Sequence, residues 1–218
     1  MLVHSSELDD FIDGLMRERK IKFPKIVALF LLIKEKGPVG RYKIVKELEI
    51  PEGIIRGALS YFTDIGIVRA TKKGALLTEA GTDLLSKILE KLKIKSIKNF
   101  DFEFLALDSC CAVAHVPQRK NFNVLALRDK AVRAGASACM MISYEKGRLI
   151  LPKVYEDLSA LFPPLAGKLN KEFPLVEGDL LISAFAPRAW KAREAVISAA
   201  IDDDAYRTMA LTSGKVSY

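Results

Sequence analysis

The chain has 218 residues, of which half are hydrophobic and 28% are charged, and its formal net charge is +7 at pH 7. This length suits two domains of about 100 residues each, and the hydrophobic content predicts a packed core instead of a disordered chain. The longest uninterrupted apolar run, residues 26–33, is far shorter than the roughly 20 residues of a membrane-spanning helix, which argues against a membrane protein.

The positive charge is concentrated in the first half of the chain. Residues 1–98 hold 19 Lys and Arg against 13 Asp and Glu, whereas residues 99–218 hold 15 against 14. A basic excess in one half is compatible with a polyanionic partner for that half.

Cysteine content indicates a reducing compartment. The three cysteines, Cys110, Cys111 and Cys139, do not make a disulfide framework, and the acidic start of the chain does not resemble a signal peptide. A cytoplasmic protein with reduced thiols is therefore expected.

An amphipathic helix is predicted at the N-terminus. Ser6 is placed to cap it, and its apolar residues recur at the spacing of one helical face: Leu8, Phe11, Ile12, Leu15 and Met16. That face packs either on this chain's own first domain or on a second copy in a homodimer.

Residues 24–92 have the element order of a winged helix-turn-helix, α-α-α-β-β-α. Pro24 suits the first turn of a helix, Gly66 suits a left-handed helix end, and Thr78 is placed to cap the last helix. The predicted helices cover residues 24–37, 40–50, 54–65 and 78–95, and the predicted strands cover residues 67–70 and 75–78 around a hairpin turn.

The third helix has the pattern of a DNA-recognition helix. Ile55, Leu59, Phe62 and Ile65 are expected to form one buried stripe, which leaves an opposite face for contacts. In a helix-turn-helix the second helix of the motif lies in the major groove, and basic residues around it contact phosphates. The expected DNA-binding residues are Arg41, Tyr42 and Lys43 before this helix, Arg56, Gly57, Ser60 and Tyr61 on it, and Arg69, Lys72 and Lys73 on the hairpin.

Helical spacing does not separate a DNA reader from a winged helix that binds protein or RNA. We favour double-stranded DNA as the partner because basic residues cluster on the predicted face. A protein- or RNA-interaction scaffold is the alternative. For Tyr61 two positions stay open: it reaches the DNA, or it is half-buried because its neighbour Phe62 belongs to the core.

The segment 54–68 resembles the recognition segment of GntR-like winged-helix repressors of bacteria and archaea. The resemblance covers residues 24–92, departs at Ile54, where Thr or Ser is common, and implies a transcriptional regulator. The chain as a whole is similar to uncharacterised archaeal proteins that join such a domain to a C-terminal α/β domain. The matching positions are Ile55, Arg56, Ala58, Leu59, Gly66 and Ile67.

Residues 96–218 are predicted to form a mixed α/β domain of about five strands, after a winged-helix domain over residues 1–95. The fold class of the chain is therefore α+β. Strands are expected at residues 102–108, 110–117 and 179–186 and in a hairpin over 138–152, and helices at 124–135 and 188–201, with one short helix within 153–174.

We expect neither an enzyme nor a metal or cofactor site. The motifs GxSxG, GxGxxG, HExxH and the Walker loop are absent. Cys110, Cys111, His115 and Cys139 are possible ligand types, but adjacent cysteines on a strand point to opposite faces. Buried structural cysteines are the preferred interpretation.

Two strand-to-helix junctions carry basic residues where a helix begins, which is a favourable place for an anion. If they face one another, a small anionic ligand or nucleotide fits between them; otherwise these are exposed loop charges. The C-terminal domain is accordingly expected to sense a ligand or to mediate homodimerisation. The junction residues are Arg119, Lys120, Asn121, Arg188 and Lys191.

Overall fold

The computed structural model describes residues 21–102, 107–119 and 122–201. Contacts divide the described residues into two compact units, one of residues 21–88 together with Ile201 and the other of Leu89–Ala200. The predicted N-terminal amphipathic helix lies outside the described residues, so it stays a prediction.

The first unit has the predicted element order. Its helices are α1 (Phe23–Lys36), α2 (Arg41–Leu48), α3 (Glu52–Asp64) and the start of α4 (Glu79–Lys91), and its strands are β1 (Val68–Thr71) and β2 (Gly74–Leu77). The strands form an antiparallel hairpin. Val39 bridges to Ala75 on the free side of β2, through two backbone hydrogen bonds of 3.0 and 2.9 Å.

Helix α1 is the centre of this unit. Every residue from 26 to 33 is buried, as expected for a helix that is apolar on all sides. Phe30 packs edge-to-face on Phe62 of α3, with ring centroids 4.9 Å apart. None of the described helices is both long and apolar enough to span a bilayer.

The predicted buried stripe of α3 is correct only in part. Ile55 and Phe62 are fully buried, but Leu59 is half-buried and Ile65 is 40% exposed. The expectation for Ile65 is wrong because α3 ends at Asp64 and Ile65 is its C-cap, where helical spacing no longer applies. Ala58, whose small side chain allows close packing, completes the buried stripe.

Two predicted signals for helix ends, at Gly66 and Thr78, are confirmed, whereas the helices predicted to reach residues 50 and 95 end at Leu48 and Lys91. Gly66 follows α3 in the left-handed conformation, with φ 76°. Thr78 caps α4, since its Oγ1 accepts a hydrogen bond of 3.1 Å from the N–H of Gly81. The same hydroxyl lies 2.7 Å from the carbonyl of Gly66, and therefore ties the end of the hairpin to the turn that precedes it.

The second unit is built on a five-stranded sheet. Its elements are β3 (Ser96–Asn99), β4 (Cys110–Val116), α5 (Val124–Arg133), β5 (Ala138–Glu145), β6 (Arg148–Ile150), α6 (Leu158–Leu161), α7 (Pro163–Glu172), β7 (Leu180–Ala186) and α8 (Ala189–Ala200). The strand order is β3-β4-β7-β5-β6, and all neighbouring strands are antiparallel. Strands β4 and β5 are consequently parallel to each other, with β7 between them. The predicted α+β class with about five C-terminal strands is confirmed.

Helices cover both faces of this sheet. On one face α8 packs against β4 and β7 and also against α5. Small residues such as Ala112, Ala114 and Ala184 allow α8 to approach the strands closely. On the other face the core cluster joins Val113, Leu181 and Phe185 to residues of α6 and α7.

The strand predicted over residues 102–108 is wrong in its described parts, because Phe102 is not in a strand and residues 107–109 form a bend. The strand is β3 instead, an edge strand whose polar sequence does not show a buried pattern. Phe100 and Phe102 are apolar because they fill the core below α7 as loop residues.

The stretch 153–174 contains two helices and not the single helix predicted. Helix α6 ends at Leu161, and Pro163 begins α7 after one intervening residue, Phe162. Pro is favourable at the first turn of a helix and unfavourable in its interior, so it separates the two.

A histidine and an aspartate form a hydrogen bond inside the second unit. His115 Nε2 lies 2.6 Å from Asp179 Oδ2, and both side chains are almost fully buried. The Asp179 carboxylate also accepts from the backbone N–H groups of Val176 (3.0 Å) and Gln118 (3.1 Å). It therefore joins the residues that follow β4 to the turn that precedes β7.

The hydrogen bonds of Asp179 decide its charge state. Burial raises the pKa of this carboxyl, but the bonds from Val176, His115 and Gln118 outweigh burial and hold the pKa below its usual range. His115 Nδ1 has no partner among the described residues. A tautomer with its proton on Nε2 donates to Asp179 and leaves only a lone pair at Nδ1.

We predict that Asp179→Ala lowers the free energy of unfolding at pH 7 by about 3–5 kcal/mol, because it leaves the donors on His115, Val176 and Gln118 without their acceptor. Because the pKa of Asp179 is lowered on folding, its contribution is complete above about pH 4 and is lost as the pH falls further. Urea unfolding at pH 7 and at pH 3 measures both effects.

The matched control is Asp129→Ala on the exposed surface of α5, for which we expect no comparable loss. Equal unfolding free energies for Asp179→Ala and Asp129→Ala at pH 7 would contradict the role assigned to the buried pair.

Candidate nucleic-acid interface

An open groove of about 460 Å³ lies between α3 and the β1–β2 hairpin. On the α3 side it is lined by Arg56, Ser60 and Thr63, and the start of α2 contributes Arg41. The hairpin contributes Thr71 on the other side. Leu59 and the carboxylate of Asp64 also belong to the α3 wall, which therefore carries side chains of both charges and faces a strand on the other side.

The structure exposes most of the predicted DNA-binding residues. Gly57 and Tyr61 are half-buried, and Tyr61 lies with its ring centroid 6.0 Å from that of Phe62. Tyr42, at the first turn of α2, is 81% exposed, an unusual position for a large aromatic residue. The exposed residues are Arg41, Tyr42, Lys43, Arg56, Ser60, Arg69, Lys72 and Lys73.

The hairpin is anchored where it meets the rest of the unit. Gly74 has φ +131°, and a Cβ at this position would lie 2.3 Å from the carbonyl carbon of Val39. Thr71 Oγ1 donates to the carbonyl of Gly74 at 2.7 Å and accepts from the N–H of Lys73 at 3.2 Å. These bonds define the tip that carries Lys72 and Lys73.

Glu52 is not among the residues predicted to bind DNA, but in the structure it lies beside two of them. Its Oε1 is 3.1 Å from Arg41 Nε and 3.2 Å from Arg56 Nη2. The spacing of Glu52 and Arg56, i and i+4 on one helix, is a sequence signal for the second ion pair. The first ion pair joins two helices, and sequence spacing does not reveal it.

One carboxylate thus holds two of the arginines predicted to contact DNA. All three side chains are about half-exposed or more, so water screens the pairs and each stabilises the fold only slightly. These ion pairs act mainly on the electrostatic potential of the surface, because Glu52 offsets part of the positive charge at the N-terminus of α3.

The two predicted ligand-binding junctions are not brought together. Arg119 lies at the C-terminal end of α8, where its Nη1 donates to the carbonyl of Ala200 at 2.8 Å. Arg188 precedes the first turn of α8 and Lys191 lies within it, and a helix of 12 residues separates its ends by roughly 17 Å. Lys120 and Asn121 lie outside the described residues.

Strand direction explains this separation. Because β7 runs antiparallel to β4, Val116 at the end of β4 lies opposite Leu180 at the start of β7. The two junctions therefore follow strand ends on opposite sides of the sheet, and their described residues do not face one another.

A cleft of about 510 Å³ lies beside the start of α8, where Ala189 contributes to its lining. The described residues that line it include the carboxylates Asp101 and Asp108 and no basic side chain. Ser137 Oγ and the N–H of Ser109 donate to Asp108, and these bonds lower its pKa. This lining does not favour an anion, and the anionic ligand stays a prediction.

The cysteines lie on different faces of the sheet. Burial raises the pKa of the Cys111 and Cys139 thiols to about 12, so neither is a thiolate at neutral pH. Cys111 belongs to the core cluster below α7, whereas Cys110 faces the other way. In residues 21–102, 107–119 and 122–201, no three His, Cys, Asp or Glu side chains are arranged to hold a metal ion.

Comparison with known proteins relates both units to families without an assigned function. Residues 24–83 match the family described as PH0730-like, N-terminal domain, and residues 107–203 match a domain of unknown function (DUF4443). The fold is similar to that of a solved structure, the hypothetical protein PH0730 from Pyrococcus horikoshii OT3, with a TM-score of 0.65 and 24% identity. That alignment covers 84% of this chain and 96% of the archaeal chain. No curated protein sequence matches the chain significantly.

Proposed function

We propose that the chain is a DNA-binding transcriptional regulator of the cytoplasm. Its winged helix reads duplex DNA, and its C-terminal unit senses a small ligand or forms a homodimer. The observation that carries the proposal is the groove between α3 and the hairpin, lined by Arg41, Arg56 and Ser60 and flanked by the exposed Lys72 and Lys73. A helix about as wide as the major groove, next to a basic hairpin, suits binding along duplex DNA.

The start of α2 supports a phosphate contact. Gly40 is the N-cap of α2 and has no side chain to accept from the first-turn N–H groups. Such N–H groups, together with the positive end of the helix dipole, bind phosphate oxygens well. Arg41, Tyr42 and Lys43 add exposed donors at the same place.

Helix α3 supplies the residues for sequence readout. Arg56 has the geometry for two hydrogen bonds to one guanine, and Ser60 follows one turn later on the same face. The negative charge of Glu52 repels phosphates from the N-terminus of α3. Its carboxylate is also suited to accept a hydrogen bond from the amino group of cytosine. In this proposal Glu52 lowers non-specific affinity and releases Arg41 and Arg56 when a matching site is bound.

One chain contributes one recognition helix, so a homodimer reads two half-sites about 34–36 Å apart, one turn of the double helix. The proposal therefore includes an operator with two-fold symmetry. Analytical ultracentrifugation of the free protein and of its complex with duplex DNA measures this stoichiometry.

A protein- or RNA-interaction scaffold is the second candidate. The observation that favours it is the pairing of Glu52 with both Arg41 and Arg56, which reduces the positive charge available to a phosphate backbone. The two candidates differ in how their binding to duplex DNA responds to salt and to loss of individual charges.

For a hairpin that touches phosphates, we predict that Lys72→Ala/Lys73→Ala reduces the salt dependence of DNA binding. Each lost phosphate contact lowers the slope of log K against log salt by about 0.9, so the double variant loses up to about 1.8. Fluorescence anisotropy with a duplex from upstream of the chain's own gene measures the slope.

The matched control is Lys146→Ala/Lys171→Ala, two exposed lysines of the second unit. If both double variants keep the wild-type slope, or if the wild type does not bind duplex DNA at low salt, the hairpin does not contact phosphates.

We predict that Arg56→Ala weakens binding to the preferred site by about 1–3 kcal/mol and binding to unrelated duplexes by much less. Arg128→Ala, which removes an exposed arginine from α5, is the control. An equal loss on all duplexes argues against sequence-specific readout by Arg56.

We predict that Glu52→Gln tightens binding to unrelated duplexes several-fold at low salt, since it removes one negative charge and frees two arginines. Glu79→Gln provides a matched control, because Glu79 is also exposed in the first turn of a helix of 13 residues. The scaffold candidate instead predicts no change for either variant.

A further inference from the structure

We infer that the second unit binds one small, uncharged, largely hydrocarbon ligand, about the size of a single aromatic ring, in a cavity between β5 and the α6–α7 segment. The cavity has a volume of about 130 Å³. Its floor is formed by Met140 and Ile142 of β5, and its roof by Leu158, Phe162 and Leu165.

The chemistry of the lining selects an apolar occupant. Leu151, Phe102 and Tyr155 complete the wall, and the Tyr155 hydroxyl is the one polar side-chain group among the described lining residues. A buried water needs two to four polar partners, whereas apolar cavities of comparable size stay dry and bind molecules such as benzene. A charged ligand would lose its hydration here without a compensating partner.

The segment before α6 forms one side of the cavity and faces solvent as well. Leu151 and Tyr155 exchange two backbone hydrogen bonds of 2.9 Å, which close a tight turn with Lys153 in the left-handed conformation. The Tyr155 ring packs against Phe162 with centroids 5.7 Å apart, and 37% of Tyr155 remains exposed. Tyr155 therefore lies between the cavity and water.

Two exposed apolar residues are sequence neighbours of residues that line the cavity. Val154, which is 61% exposed, precedes Tyr155, and Leu161, which is 56% exposed, precedes Phe162. The same turn also exposes Lys153 and Glu156, so its surface is mixed, and the apolar cavity lining alone selects the occupant.

Occupation of the cavity also stabilises the elements around it. An empty void costs its lining the dispersion contacts that a ligand restores, so binding favours α6 and α7 packed on the sheet. Ligand control of DNA binding through this site rests on the proposed function; ligand binding itself does not.

The test is a titration of the full-length chain with benzene, followed by NMR of the Met140 and Ile142 methyl groups. We expect saturable shifts of these methyls with benzene and none with benzoate, which has the same ring and a charge. Shifts that do not saturate, or equal shifts with benzoate, overturn the proposal.

A variant that fills the cavity adds a second readout. Leu151→Phe introduces an aromatic ring at a half-buried lining position and is expected to abolish the benzene-induced shifts. Leu175→Phe is the matched control, since Leu175 packs against the same core cluster outside the cavity lining. Benzene binding to Leu151→Phe as tight as to the wild type overturns the site.

Should Leu151→Phe fail to fold, Met140→Phe tests the same volume from the floor, and thermal unfolding with and without benzene replaces the methyl signal. A rise in melting temperature for the wild type and for Leu175→Phe, with no rise for the filled variant, supports the site. Equal rises in all three overturn it.

A parallel DNA-binding assay with and without benzene separates the two proposals. Saturable benzene binding by a protein that binds no duplex DNA supports the cavity and contradicts the proposed function. DNA binding without benzene binding contradicts the cavity alone.

Discussion

The pairing of β7 with two partners organises the whole second unit. Strand β7 is hydrogen-bonded to β4 on one side and to β5 on the other, antiparallel to both, and every one of its residues is buried. This register places Asp179, just before β7, beside the end of β4, where His115 meets it. It also sends alternate residues to the two helical layers, and one of these layers contains the cavity floored by Met140 and Ile142.

The first unit is organised differently, since its core is one apolar helix, α1, and its other elements carry the polar surface. Helix α1 is buried at the centre of the unit, and α3 packs on it through Phe62. One face of α3 is therefore buried, with Ile55 and Phe62, and the opposite face exposes Arg56 and Ser60. Glu52 also lies on this exposed face and adds a negative charge to it. The face on which the sequence predicts a cluster of basic residues carries charges of both signs, and such a mixture favours selectivity over affinity.

Sequence reasoning succeeded where a few neighbouring residues decide the structure. The left-handed end at Gly66 and the cap by Thr78 depend on local backbone chemistry, and both are present. It failed where the hydrophobicity of a residue indicates neither its secondary structure nor its burial. Phe102 is apolar because it fills the core and not because it forms a strand, and Ile65 is exposed because its helix has already ended.

The sequence by itself determined the order of elements in the first unit, the α+β class, the core positions of α1 and most of the exposed residues of the candidate interface, because periodicity, caps and turns act over a few residues. Only the tertiary structure decided that β7 lies between β4 and β5, that Arg119 and Arg188 lie at opposite ends of α8, and that Glu52 reaches Arg41. Those features depend on strand pairing and helix packing between residues far apart in the chain, and no local pattern encodes which distant segments meet.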